Sequence, residues 1–189
     1  MNDRDVVLQA FAQTVQLHQQ VALERVEEIV RAATVIGQAL AAGRKVLTFG
    51  NGGSATDAQH FAEELVGRFL KERRAVPVIA LTADSSILTA VGNDYGFEAV
   101  FARQVEALGQ RGDVAVGLTT SGGSKNVNLA LVRAREQGLA TIGLTGRDGG
   151  ETARLVDVHV NVPGSSSARV QEVHRTILHV WCELVERDL

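Results

Sequence analysis

Residues 46–64 read VLTFGNGGSATDAQHFAEE. An apolar run, Val46–Phe49, ends at a glycine turn, and helix-compatible residues follow at once. Strand, glycine turn, helix is the opening unit of a parallel α/β sheet. The pattern then recurs: KVLTFG, VPVIALT, DVAVGLTT and LATIGLTG are runs of strand character separated by helical stretches, with DGGETARLV before a last run, DVHVNVP. Strands that read as continuous apolar runs are covered on both faces. The fold class is therefore α/β.

Outward from this core lie two helical flanks. Residues 3–42 hold no proline and one glycine, Gly37, and two stripes recur at helical spacing: Val7, Phe11, Val15, and Ile29, Ala33, Ile36, Leu40. Gly43 is the stop signal. A closing helix spans Ser167 to Asp188, carrying Val170, Val173, Ile177, Trp181, Leu184 and Val185. The chain divides as one domain, 1–189: an N-terminal helical hairpin (1–42), an α/β core (43–164) and a C-terminal helix (165–189). Stripes this broad pack on the core or on a second subunit, and an oligomer is expected.

Bulk properties exclude several classes. A chain of 189 residues suits one well-buried domain. Net charge of −3 gives no footprint for nucleic acid or an anionic membrane. Cys182, the only cysteine, excludes an internal disulfide and fits a reducing compartment. The start, MNDRDVV, has neither a basic nor an apolar leader region, and no apolar run is long enough to span a bilayer. The expected location is the cytoplasm, with no nucleic-acid or membrane partner.

The first strand–turn–helix has an echo. Val46–Ser54 (VLTFGNGGS) and Val116–Ser124 (VGLTTSGGS) both pass from strand through Gly-Gly-Ser into a helix. Two such turns at one sheet edge would form the ligand crevice of an open α/β sheet. Thr119, Thr120, Ser121, Gly122, Gly123 and Ser124 combine four hydroxyls with two glycines at a helix start, a composition suited to phosphate. The same loop could instead cap the helix through Ser121 or Ser124. GxxxxGK[ST] is absent, and GNGGS is not GxGxxG, so neither nucleoside triphosphate nor dinucleotide is indicated.

His60 and Glu64 are one turn apart and share a helix face. Such a pair is either a chelating pair or an exposed ion pair of little worth. Glu63 points elsewhere. In the last helix His179 stands eight residues after Gln171 and seven after Glu172, so periodicity does not choose its partner. If the two helices meet, His60, Glu64 and His179 with one more oxygen donor would suit zinc. Asn93-Asp94 reads as a turn, Arg68 as a solvated helix residue, and Arg73 and Arg74 as surface charge. Cys182 reads as inert core, while His18 and His159 lack a neighbouring constellation.

Taken as a set, GNGGSATDAQHFAEEL, VGNDYGF, TTSGGS and VQEVH followed by LH closely resemble the sedoheptulose-7-phosphate (phosphoheptose) isomerases of the sugar isomerase (SIS) domain superfamily. The likeness runs from about Ala42 to Val185. It implies a SIS-type three-layer sandwich: a five-stranded parallel sheet flanked by helices, with the terminal helices used in oligomerisation. It also implies a homotetramer whose sites lie at subunit interfaces, one Zn2+ per subunit, and a small sugar phosphate as substrate. By motif, Glu64 and His179 match the catalytic acid/base pair, and His60, Glu64, Gln171 and His179 the zinc ligands. Asn51, Gly52, Gly53 and Ser54 match the first substrate loop, Asn93 and Asp94 the second, and Thr119, Thr120, Ser121 and Ser124 the phosphate loop. Arg68 matches a family arginine after glycine, and Glu64 and Gln171 also belong to the substrate set.

The implied reaction converts D-sedoheptulose 7-phosphate to D-glycero-D-manno-heptose 7-phosphate through an enediol, an early step toward bacterial surface polysaccharide. One departure is Gly123, where the family commonly has asparagine; Gly164–Ser167 is also shorter and more polar than the family pattern. Two rivals are carried. One is a non-catalytic SIS module of the type that engages the replication initiator, which lacks the glutamate and histidine found here at 64 and 179. The other is an isomerase for a different sugar phosphate.

Overall fold

The computed structural model describes residues 1–187 and 189. Two helices lead, α1 (Asp3–Glu24) and α2 (Val26–Ala41), with Arg25 alone between them. The core then runs β1 (Val46–Gly50), α3 (Gly53–Val66), β2 (Val78–Ala80), α4 (Ser85–Tyr95), α5 (Ala102–Leu108), β3 (Val114–Thr119), α6 (Lys125–Glu136), β4 (Ala140–Gly146) and β5 (Val158–Val162). The closing helix α7 spans Ser167–Arg187. Asp188, its expected last residue, lies outside the described residues.

All strands are parallel, in the order β2-β1-β3-β4-β5. The chain starts inside the sheet at β1, steps outward to β2, then crosses back to β3. Between β1 and β3 the direction of winding reverses, so the turns leaving these two strands splay apart and open a crevice. Register puts Gly50 beside Leu118. The two Gly-Gly-Ser turns therefore leave the sheet side by side at the switch point, which is the physical meaning of the sequence echo.

Two apolar layers cover the sheet. Beneath one face, Ile36, Leu40, Phe61, Leu65, Trp181 and their neighbours on α2, α3 and α7 pack against alternate residues of the strands. On the other, Phe49, Phe101, Val127 and Leu131 gather α5 and α6. The Trp181 indole donates to the Ile29 carbonyl at 3.0 Å, so its one polar atom is satisfied inside the layer.

One expectation is corrected, and two segments show what spacing alone left open. The stripe Val7, Phe11, Val15 does not face this core: all three are exposed, and α1 buries only Leu17 and Val21. The aligned residues fall on the face of α1 turned away from α7, which the helix meets through Ala10, Thr14, Leu17 and Val21. Asn93 and Asp94 are not in a turn but in the last turn of α4, which Asp84 caps by accepting from the Ile87 amide at 3.0 Å. Residues 149–157 form only a short 3-10 turn, Thr152–Arg154, between the fourth and fifth strands.

Candidate active site

Helices α3 and α7 lie side by side and run in the same direction. Their seam is marked by Asp57 with Arg175, whose guanidinium donates twice to Oδ1 at 2.9 and 2.6 Å, and by the edge-on Phe61–Trp181 ring pair at 6.0 Å. One turn further along, the seam brings His60, Glu64 and His179 together. Their ligand atoms all lie within 4.8 Å of one another. His60 Nε2 stands 2.8 Å from His179 Nε2, and Glu64 Oε1 is 3.2 Å from the first nitrogen and 4.0 Å from the second.

Two imidazole nitrogens at 2.8 Å are at hydrogen-bonding distance, one carrying the proton that the other accepts. Two nitrogens and one carboxylate oxygen are a donor set of borderline softness, matched to zinc, and three protein donors are the number that leaves a position for substrate. The residues fit the metal implied by the resemblance. Burial is the main cause that holds His179 below the ordinary imidazole pKa, with His60 adding to it, so its neutral, lone-pair-bearing form is favoured.

Gln171 is not with this trio. It lies eight residues earlier on α7, about 12 Å along the axis, with its amide packed so closely on Gly53 that a Cβ there would collide with it. Gln171 instead lines a 530 Å³ cavity with Gly53, Thr56, Asp57 and Arg175.

The second Gly-Gly-Ser turn supplies the polar cradle. Thr119 Oγ1 meets Ser124 Oγ at 2.9 Å and Ser121 Oγ at 3.3 Å, while Ser121 accepts from the Gly123 amide at 3.2 Å. Ser124 occupies the N-cap of α6 without a capping hydrogen bond from its side chain. The hydroxyls thus bond to one another rather than to helix amides, which favours a ligand loop over the capping alternative. Thr120 reaches the Ser167 hydroxyl at the start of α7 at 3.2 Å.

Asn51 is tied up in a reciprocal amide pair with Asn126, at 2.8 and 2.9 Å, which couples the first turn to the start of α6. Gly52 takes φ +56°, the left-handed region that glycine tolerates, and caps α3 there. Ser54 is buried, with its Cβ and carbonyl packed close to Gly50. Asn93, Asp94 and Arg68 are exposed and bond only to sequence neighbours: Asn93 to Asp94 at 2.8 Å, Arg68 to Glu72 at 3.8 Å.

The expectation of surface charge at Arg73 is overturned. Its side chain is 5% exposed and Glu186 beside it 1%, with Nε donating to the carboxylate at 3.0 Å. The other guanidinium nitrogens donate to the carbonyls of Glu64, Leu65, Gly67 and Arg74. Helix α3 ends without a capping side chain of its own, and this arginine supplies the missing donors. Arg74 fits the expectation and is exposed. Cys182 is fully buried and burial pushes its thiol far up, which makes it inert. His18 bonds the Thr14 carbonyl and Thr176 hydroxyl, each at 2.8 Å, and His159 the Thr145 hydroxyl at 2.7 Å. Both have partners that spacing did not reveal.

A parallel sheet with a hydroxyl-rich, glycine-containing loop at its switch point marks a ligand-binding α/β domain. The SIS domain family matches residues 10–146 of the chain. The phosphoheptose isomerase of Geobacter sulfurreducens is 58% identical over 170 residues, covering 89% of this chain and 90% of its own. That of Aquifex aeolicus is 59% identical over 160 residues, covering 85% and 84%. Among solved structures, the phosphoheptose isomerase of Neisseria gonorrhoeae superposes with a TM-score of 0.94 at 44% identity, covering 98% of this chain and 100% of that one. The chain belongs to the SIS domain family, on its phosphoheptose isomerase branch.

Proposed function

We propose that this enzyme interconverts D-sedoheptulose 7-phosphate and D-glycero-D-manno-heptose 7-phosphate through an enediol, in the supply of heptose for bacterial surface polysaccharide. The observation that carries the reading is the convergence of His60, Glu64 and His179 on one seam. Its relatives' common name supports the substrate class. A non-catalytic module would need neither the glutamate nor the second histidine.

Ketose–aldose isomerisation moves a proton between adjacent carbons and another between their oxygens. Glu64, 17% exposed at its side chain and beside two imidazoles, is the carboxylate for one transfer. His179, favoured neutral, can accept a proton and return it. The hydroxyls of Thr119, Ser121 and Ser124 and the amides of the Gly-Gly turn would hold the phosphate at the far end of the open-chain sugar. Binding energy collected there would orient the reacting carbons.

Zinc, one per subunit on His60, Glu64 and His179, would supply Lewis acidity toward the sugar's oxygens. Gln171, two turns away in its own chain, joins that set only if another subunit supplies it. A homotetramer is supported by the exposed Val7, Phe11 and Val15 stripe and by the apolar groove of Val21, Val26, Ile29, Val30, Ile177 and Val180. Among the described residues no helix is long and apolar enough to cross a membrane, in keeping with a cytoplasmic enzyme.

The test is an NMR time course of the purified protein with the seven-, six- and five-carbon ketose phosphates, with and without a chelator. Conversion of the seven-carbon sugar alone is expected. Preference for a shorter sugar would move the assignment to another isomerase, and conversion of none would favour a binding module.

A further inference from the structure

We propose that Phe69 is a positioning residue for His179, held on that imidazole by a clamp that Glu186 and Arg73 build across the ends of α3 and α7. The inference rests on the reading of His179 as an acid/base group and metal ligand.

A histidine that ligates a metal or shuttles a proton needs its ring plane set, and a hydrogen bond from its second nitrogen is the common device. Among the described residues His179 makes one hydrogen bond only, between its Nε2 and that of His60. Its ring is instead covered by Phe69, stacked at a centroid distance of 5.4 Å and an interplanar angle of 28°. His60 meets the same imidazole at 59°, so the two neighbours hold it from different directions. The imidazole is 39% exposed and sits at the open end of the seam, where without a neighbour it could turn into solvent.

Phe69 lies outside regular structure, in the segment that follows α3, and that segment needs its own anchor. Glu186 provides it. The carboxylate accepts from the amides of Phe69 and Leu70 at 2.8 Å, from that of Lys71 at 3.1 Å, and from Arg73 Nε at 3.0 Å. Burial alone would raise the pKa of Glu186, but these four donors outweigh it and hold the carboxyl below its usual range, hence ionised. Glu186 stands seven residues, two turns, beyond His179 on α7. Arg73 meanwhile donates to the carbonyl of Glu64 itself at 3.0 Å and of Leu65 at 2.8 Å. One buried ion pair thus ties together the helix end bearing Glu64, the helix bearing His179, and the ring lying on His179.

The deciding property is the aromatic face, so the test varies it. Phe69→Leu and Phe69→Met keep an apolar side chain and lose the flat face, while Phe69→Tyr keeps both. Zinc affinity is read by competition with a chromophoric chelator, turnover by the sedoheptulose 7-phosphate assay, and the fold by thermal unfolding. Expected for both aliphatic variants is zinc binding weaker by about tenfold and kcat lower by about tenfold. KM should stay within about twofold and unfolding should shift little, with Phe69→Tyr close to the parent. Parent-like zinc affinity and kcat in Phe69→Leu and Phe69→Met would overturn the proposal, as would failure of Phe69→Tyr to restore them. A parent protein that binds zinc but leaves the ketose unchanged removes the proposed substrate, while the zinc titration still decides the role of Phe69. A parent that does neither overturns the reading of the site and this inference together.

Discussion

Acidification should destabilise this protein through one residue outside the cluster of His60, Glu64 and His179. His174 is fully buried on α7, with Nε2 2.9 Å from the Thr145 carbonyl at the end of β4. Because a carbonyl only accepts, Nε2 carries the proton, and Nδ1 is buried with no hydrogen-bond partner. Adding a second proton would put a charge in an apolar layer. Burial accordingly lowers the pKa from 6.5 to about 4, against a smaller opposing effect of the bond to Thr145. The folded chain therefore binds fewer protons than the unfolded chain between these values. Stability present above 6.5 is lost as pH falls toward 4, and no further loss from this residue occurs below that. At about 1.4 kcal/mol per pH unit the whole effect is about 3 kcal/mol, of which about 2 kcal/mol falls between about pH 7 and about pH 5. Urea unfolding at both pH values and one fixed protein concentration measures it, with His174→Gln as reference. Glutamine can donate to the same carbonyl and does not titrate. The parent should lose about 2 kcal/mol more than the variant; equal losses would refute the reasoning.

Three other outcomes follow from the same geometry. Glu64→Gln and His179→Gln should each cut turnover by roughly 10²–10⁴ with the melting temperature little changed; near-normal rates in either would remove it from the acid/base pair. Ser124→Ala should raise KM for the sugar phosphate and the inhibition constant of inorganic phosphate by about tenfold, while kcat holds. An unchanged KM would mean that the phosphate lies elsewhere. Glu186→Leu should cost about 3–5 kcal/mol in chemical unfolding, because it leaves Arg73 buried and three backbone amides without an acceptor; a cost under about 1 kcal/mol would show that water replaces the carboxylate.

Much of the architecture was legible because its signals are local. A strand buried on both faces writes itself as an apolar run, and a glycine turn marks where it stops, so β1, β3 and β4 could be read to within a residue at each end. The last turn of α4 was not, since Gly92-Asn93-Asp94 has turn chemistry and only the Asp84 cap and the packing of α4 carry the helix through it. Arg73 and Arg74 are neighbours of the same type, and nothing in the chain says which is buried. The difference is made by Glu186, 113 residues away. The hydroxyl loop was legible as composition, but the choice between capping and ligand binding needed the absence of a side-chain cap at Ser124.

The seam between α3 and α7 shows why the convergence of His60, Glu64 and His179 was only partly legible. Asp57 meets Arg175 at a separation of 118 residues, and His60 meets His179 at 119. A nearly constant separation along two helices means parallel axes in register, each turn of one facing one turn of the other. Gln171 and His179, eight apart, do share a face of α7, as their spacing indicated. In a parallel seam, however, sharing a face assigns them to different turns of α3: Gln171 to Gly53 and His179 to His60 and Glu64. The family resemblance names them as co-ligands, and their eight-residue spacing holds them two turns apart in one chain. A single chain therefore brings three donors together, and Gln171 stands apart from them against Gly53.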